Sequence, residues 1–355
     1  MTSIKKNTKI NIYFSWTELP AYGYYILKYL DSKLKKNKLI NFRVISNPNQ
    51  FQKNYKENNS FYKKIIWIKK NKKYSWNDIG LEIPHIFFQS GWSIKSFNNL
   101  GKLTKLNNKD NKVIIGVDNS IQKNNLRQFL GSLYFKFFLK KNFDYALVPG
   151  QSGKRLMMKF GFEHNEIYTG VYSAIKNVYK NNIPIKNRKK QFLYVGQFID
   201  RKNIFRLIDA FKKANSKKND WNLVMVGRGP LKIKRKYLGN HIKIIKKLPP
   251  NKLCNLYNQS LFFILPSIRE HWGLVVHEAS LSGCFLLLSN NVGSIEEFSN
   301  KKNSKIFNPK SINSIKKSIE QAMTLTSKEL IVANKESDRL GKLNNYYSFL
   351  INIKK

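Results

Sequence analysis

Acidic residues are scarce in this chain of 355 residues. Only 21 Asp and Glu stand against 65 Lys and Arg, which gives a formal charge of +44. Cysteine is scarcer still, with Cys254 and Cys284 alone. Two thiols in so long a chain make no disulfide framework, and neither has metal-ligand spacing, so they suit a reducing compartment. Long apolar runs are also missing. The longest, such as "LFFILP" from Leu261, have strand length, and none approaches the ~18 residues of a membrane-spanning helix. No apolar segment of useful length follows the early lysines of "MTSIKKNTKINIYFSW", so no secretory signal is expected. What is present suffices for real cores. A chain that is 42% hydrophobic and 14% aromatic is not disordered throughout, and its length favours two domains over one.

The charge has two readings. Lys and Asn are abundant almost everywhere, loops included, which points to compositional drift with a basic face as a by-product. A polyanionic partner is the other reading. Nucleic acid fits poorly, because the basic residues form no single arm and "FYKKIIWIKKNKKYSW" carries no RNA-binding signature. Anionic lipid head groups fit better, at roughly 1 kcal/mol for each basic residue near the surface.

Along the chain, apolar strands alternate with amphipathic helices. "KINIYFSW", "NFRVISN", "PHIFFQSGW", "KVIIGVDNS" and "YALVPG" read as strands, and "GYYILKYLDSKL" and "LRQFLGSLYFKFFLKKNF" as helices. A polar, lysine-rich stretch with Pro184 and no apolar period then intervenes. The alternation restarts with "QFLYVGQ" and ends in a helical tail. These features predict an α/β fold with domains at 1–172 and 191–335, a linker at 173–190, and a C-terminal helix at 336–355 that packs back toward the first domain.

In open α/β sheets, ligands bind beyond the carboxyl ends of the strands, and several strand ends here suit that use. "YVGQFIDRKN" places Gly196 and Gln197 at a strand end, with Arg201 and Lys202 just before a helix. Cations at a helix N-terminus oppose its dipole, unless a phosphate sits there to be shared with the helix amides. Taken alone, the stretch is equally a solvated basic turn. "VMVGRGP" closes a second strand on Gly227, Arg228 and Gly229, which by itself is no more than a tight turn. "SIREHWGLVVHEASLSGC" is more informative. Glu270 precedes a helix that is apolar on most faces, Glu278 lies about two turns on, and the amides of Gly273, Leu274 and Val275 lack intrahelical partners. Two carboxylates in a buried region are costly unless each is used.

Glu270 and Glu278, with seven residues and Gly273 between them, resemble the E-x7-E element of retaining nucleotide-sugar glycosyltransferases, family 4 in particular. "FLYVGQFIDRKNIFRLIDAF", "LVMVGRGP" and "SLFFILPSIREHWGLVVHEASLSGCFLLLSNNVGSIEEF" follow that family's order from Gln191 to Phe298. The resemblance implies a GT-B fold: two facing Rossmann-like, doubly wound domains with the active site in the interdomain cleft. It implies a nucleotide sugar held by the C-terminal domain. Glu270 would contact donor-sugar hydroxyls, Glu278 the ribose hydroxyls, and Lys202 the diphosphate. Amides near Gly273 and Leu274 would assist, and Gly227 and Arg228 would lie under base and ribose. Gln197 stands where many members have a phosphate-binding arginine, a loss Arg201 would offset. His271 and Trp272 replace differently shaped residues. Of the expected N-terminal glycine pair only Gly23 is present.

Retention would follow from same-face attack assisted by the departing phosphate, with Lys202 and Arg201 as electrostatic catalysts. No D-x-D pair stands where a metal-dependent donor site needs one, so neither a divalent ion nor any other cofactor is expected. On the acceptor side, Gln89, Ser90, Trp92, Asp118 and Asn119 sit at strand ends. Asp118 either orients or deprotonates the acceptor hydroxyl, or caps a helix. The expected partners are a nucleotide sugar and a saccharide or lipid-linked saccharide acceptor, in cell-surface polysaccharide or lipopolysaccharide synthesis. The expected location is cytoplasmic, at the inner face of the membrane. The competing expectation is an inactive basic α/β module that binds nucleic acid or anionic membrane.

Overall fold

The computed structural model describes residues 9–48, 60–121, 126–175, 177–216 and 220–344, which divide into two compact units that meet in sequence at Tyr172 and Ser173. The first unit is a seven-stranded parallel sheet. Its elements are β1 (Ile10–Trp16), α1 (Ala21–Leu34), β2 (Ile40–Ser46), β3 (Ile65–Trp67), β4 (Ile86–Ser90), α2 (Lys95–Asn107), β5 (Lys112–Gly116), α3 (Leu126–Tyr134), β6 (Tyr145–Val148), α4 (Gln151–Lys159) and β7 (Ile167–Thr169). The strand order is β3-β2-β1-β4-β5-β6-β7. Neighbouring residues on a strand feed opposite faces, as the pleat requires. Tyr13, Phe87, Val113 and Ile115 enter one core, and Ile12, Phe14, Phe88 and Ile114 the other. With both faces covered, the strands read as near-continuous apolar runs.

The second unit repeats the plan with six parallel strands. It comprises β8 (Lys189–Val195), α5 (Ile204–Asn215), β9 (Asn222–Val226), β10 (Ile242–Ile245), α6 (Pro250–Gln259), β11 (Ser260–Leu265), α7 (Leu274–Leu281), β12 (Phe285–Ser289), α8 (Ile295–Phe298), β13 (Ser304–Phe307), α9 (Ile312–Met323) and α10 (Ser327–Leu343). The order β10-β9-β8-β11-β12-β13 puts β8 beside β11. The chain leaves β8 to one side and returns to build the other, so the loops after β8 and β11 flank the topological switch point.

Four details depart from the sequence reading. The stretch 173–190 is no free linker but part of the second unit. Buried Arg188 donates to the carbonyl oxygens of Ile183, Ser260 and Ser282, and Asn258 Oδ1 accepts from the Asn182 amide. Polar side chains make these attachments, which is why apolar periodicity missed them. The helix expected from Leu126 to Phe143 is α-helical only to Tyr134, then widens into a π-turn at Phe135–Leu139 and tightens into a 3-10 turn at Lys140–Asn142. The helix expected from His271 begins at Leu274, because Gly273 adopts the left-handed conformation at φ +85°. In the tail, α10 opens on a capping box of Thr326 and Glu329 and packs on α7, so closely that a Cβ at Gly341 would lie 2.9 Å from the Leu281 amide. The remainder of the expected C-terminal helix, residues 345–355, lies outside the described residues.

Candidate active site

Two glycine turns form the floor of the site in the second unit. Gly196 follows β8 and Gly227 follows β9. A Cβ on Gly227 would stand 1.9 Å from the Gly196 carbonyl oxygen, and one on Gly229 2.2 Å from that of Phe198. The turns are therefore in backbone contact, which only glycine permits. Three backbone hydrogen bonds fix them: Gly196 N–H to Val226 O, Phe198 N–H to Arg228 O and Gly227 N–H to Ile245 O. Beneath Gly196 the Tyr194 hydroxyl donates to the Gln197 carbonyl at 2.9 Å, while the side chains of Gln197 and Arg228 are exposed.

Beyond this floor the chain makes a 3-10 turn, Asp200–Lys202, that ends at left-handed Asn203 (φ +60°). The Asn203 amide side chain donates to the carbonyl oxygens of Pro266 and Pro309, and the Ile268 amide donates to the Arg201 carbonyl at 2.8 Å. These bonds join the loops after β8 and β11. One oxygen of Glu270 then receives three donors: Lys202 Nζ, Arg201 Nη1 at 3.4 Å and Ser267 Oγ at 3.2 Å. Lys202 and Glu270 are both buried. Burial pulls the Lys202 ammonium below its usual range, and the Glu270 carboxylate resists that shift. The sequence placed Lys202, Arg201 and Glu270 at separate strand ends, and the fold gathers them into one cluster. In that cluster the Glu270 carboxylate bonds to two cations, four residues before α7 begins.

Gly273 turns the chain into α7. Its Cβ position would lie 3.2 Å from Glu270 Cγ, so the glycine allows the glutamate to fold over the turn. The first-turn amides of Leu274 and Val275 have no intrahelical acceptors. Further along the helix, Glu278 is buried and accepts a hydrogen bond from the Tyr257 hydroxyl at 3.0 Å. Burial raises its carboxyl to about 7, with Tyr257 and Tyr179 restraining the rise. Sequence reasoning missed both tyrosines, since one lies on α6 and the other in the stretch taken for a linker, with no motif to mark either. Next to Glu278, buried His277 accepts from the Ala174 amide through Nδ1, and its Nε2 lies 3.0 Å from the Gly341 carbonyl. Burial lowers it to about 4, so it is neutral at pH 7. Trp272 is buried, with its ring edge-on to Phe298 at 5.8 Å, and His271 is half-buried.

The first unit has its own cavity of about 720 Å³ at the carboxyl ends of β1, β4 and β5. Gln89, Ser90, Trp92, Asp118 and Asn119 all line it, as do Trp16, Tyr22 and Tyr172, which sequence reading did not single out. The last three form an aromatic cluster with ring centroids 5.7 to 6.1 Å apart. The Trp16 indole comes within 3.0 Å of where a Gly23 Cβ would lie, which accounts for that lone glycine. Gln89 is committed to structure, because its amide donates to Gly91 O and Asn98 Oδ1. Asp118 is exposed and accepts from the Tyr172 hydroxyl at 3.4 Å. It stands eight residues before α3, so it does not cap that helix. Among the described residues, no group of three or more His, Cys, Asp or Glu could hold a metal ion.

Residues 176–339 match the model of the family described as Glycosyl transferases group 1, and the match spans nearly all of the second unit. Over that span the second unit is similar to the glycosyl transferases group 1 family. No curated protein matches the sequence. Among solved structures, HepE of Anabaena, in complex with UDP and glucose, superposes with a TM-score of 0.71 at 12% identity, covering 98% of this chain and 100% of that one. A glycosyltransferase from Rickettsia africae superposes at 0.69 with 14% identity, covering 98% and 97%. Sucrose-phosphate synthase from Thermosynechococcus elongatus superposes at 0.68 with 13% identity, covering 96% of both chains. At these identities the likeness is one of fold. The chain is thus a two-unit α/β protein of GT-B fold, with the group 1 similarity in its second unit.

Proposed function

We propose that this chain is a retaining, metal-independent glycosyltransferase of family 4. In this reading it moves a sugar from a nucleoside-diphosphate sugar to a saccharide or lipid-linked saccharide, in the synthesis of cell-surface polysaccharide or lipopolysaccharide. The observation that carries the reading is the cluster of Lys202, Arg201 and Glu270 across the switch point, beside the glycine-opened N-terminus of α7. The crystallised complexes of HepE with UDP and with UDP-glucose support the same donor class.

The chemistry follows from the charges. Breaking the bond between the sugar and the diphosphate leaves negative charge on the leaving oxygen. Lys202, Arg201 and the amides of Leu274 and Val275 are the groups that neutralise it. As the diphosphate arrives, Lys202 exchanges part of its bond to Glu270 for the phosphate, and the Glu270 carboxylate is released to accept from donor-sugar hydroxyls. Glu278 accepts from the ribose hydroxyls, Gly227 and Arg228 lie beneath base and ribose, and Gly196 and Gln197 stand on the phosphate side. In the first unit, Asp118 takes the proton of the acceptor hydroxyl, with Tyr172 holding its carboxylate.

A panel of nucleotide sugars, read by mass detection of transferred or hydrolysed sugar, identifies the donor. With that donor, Lys202→Ala is expected to lower turnover by about 10²–10³-fold, the magnitude usual for removing one preorganised charge-stabilising group. Glu278→Ala is expected to raise the Kd for the nucleoside diphosphate. Turnover and nucleotide affinity unchanged in both variants would remove the site assignment.

A further inference from the structure

The helix that borders the first unit's cavity carries a feature that donor chemistry does not use. Along α3 and its π-turn, large apolar side chains stand at Leu126 and at three pairs, Phe129–Leu130, Leu133–Tyr134 and Phe137–Phe138. The alternating steps of three and one residues draw a single stripe along one helical face. In a globular protein such a stripe faces the core. Here it faces outward: all seven side chains are exposed, Leu126 and Phe137 to 70%. The inward face is held by Ser132 and Phe135, both buried, and the Phe135 ring packs on Trp92, Phe143, Phe160 and Phe162 at 4.9 to 6.0 Å. The stripe is thus presented on a firmly seated helix.

We infer that this stripe docks the chain on an anionic lipid surface, with the helix lying flat in the head-group region. The charge around it decides between occupants. From 126 to 142 the sequence has Arg127, Lys136, Lys140 and Lys141 and no acidic residue. Of these, Lys140 is paired with Glu166, whereas Arg127, Lys136 and Lys141 are exposed. A second copy of the chain would bring a like-charged rim against this one, within molecules that each carry +44. An anionic bilayer meets both demands, since aromatic and aliphatic side chains enter the acyl boundary while basic side chains meet the head groups. No helix among the described residues is long and apolar enough to cross a membrane, so the contact is interfacial. The inference is independent of the transferase reading, because binding to vesicles needs no donor.

The test is co-sedimentation of the full chain with phosphatidylcholine vesicles, with and without phosphatidylglycerol. The chain is expected to pellet with the anionic vesicles and to keep part of that binding at high salt, where screening removes purely electrostatic attachment. Replacing Phe129, Phe137 and Phe138 together by Ser should weaken binding by about tenfold or more and leave only a salt-sensitive remainder. Phe137→Glu alone, at one of the two most exposed positions, should give a partial loss. Circular dichroism melts of each variant should match the parent, since these rings lie outside the core. Unchanged vesicle binding by the triple variant would overturn the inference. So would a parent chain that ignores anionic vesicles, or one that light scattering finds dimeric and the triple variant renders monomeric.

Discussion

Burial raises the Glu278 carboxyl to about 7, whereas its ordinary value, taken for the unfolded chain, is 4.5. A raised carboxyl favours the folded state only while protonated. The contribution is complete below pH 4.5 and is lost as the pH rises through about 7. Buried His277, lowered to about 4, works the other way and loses its contribution as the pH falls below 6.5. The difference between parent and Glu278→Gln isolates the first effect. The parent's melting temperature should fall relative to the variant's as pH rises from 5 toward 8, and parallel curves would contradict this. At this scale the sequence was legible in part. It marked Glu270, Glu278, Lys202 and Arg201, because cations and carboxylates at strand ends need a reason. It did not mark Tyr257 and Tyr179, since a tyrosine in a helix or a polar loop carries no such signal. Nor did it join Lys202 to Glu270, because no local pattern relates residues brought together only by strand order.

Strand ends, helix starts and their glycines belong to the next scale. Gly227 lets the turns after β8 and β9 touch through their backbones. Gly227→Ala would press a methyl group against the Gly196 carbonyl and the Phe198 ring, and must displace the turn that precedes Arg201 and Lys202. A stability loss of about 1–3 kcal/mol is expected in denaturant titration, together with weaker nucleoside-diphosphate binding. Loss of stability with unchanged binding would mean that the turn does not set the position of the cations. Period and composition were enough to find most elements here. They failed where polar contacts organised the chain, as in 173–190, and where one glycine overrode a helical pattern, as at Gly273. They also read α3 as a strong helix and no more. Periodicity finds an apolar face but is silent on which side of the helix meets the core, and the two small or central residues that decide this, Ser132 and Phe135, look unremarkable in the sequence.

At the scale of the whole chain, both sheets start in the middle and grow outward to each side, and this was legible from the restarted alternation of strands and helices. The excess of basic residues was legible as a number but not as a location. Arg127 gives it one, for this side chain stands on the apolar-striped helix and also lines the cavity at the ends of β1, β4 and β5. If the acceptor is lipid-linked as proposed, a chain docked by that stripe would meet it by lateral diffusion, and the quantity governing the encounter would be acceptors per unit area, not per unit volume. Adding acceptor-free anionic vesicles at constant total acceptor would then slow transfer to the lipid-linked substrate. Transfer to a water-soluble analogue would not be slowed in this way. Surface dilution of this kind, absent in the chain with Phe129, Phe137 and Phe138 replaced by Ser, would be the kinetic mark of a catalyst that works in two dimensions.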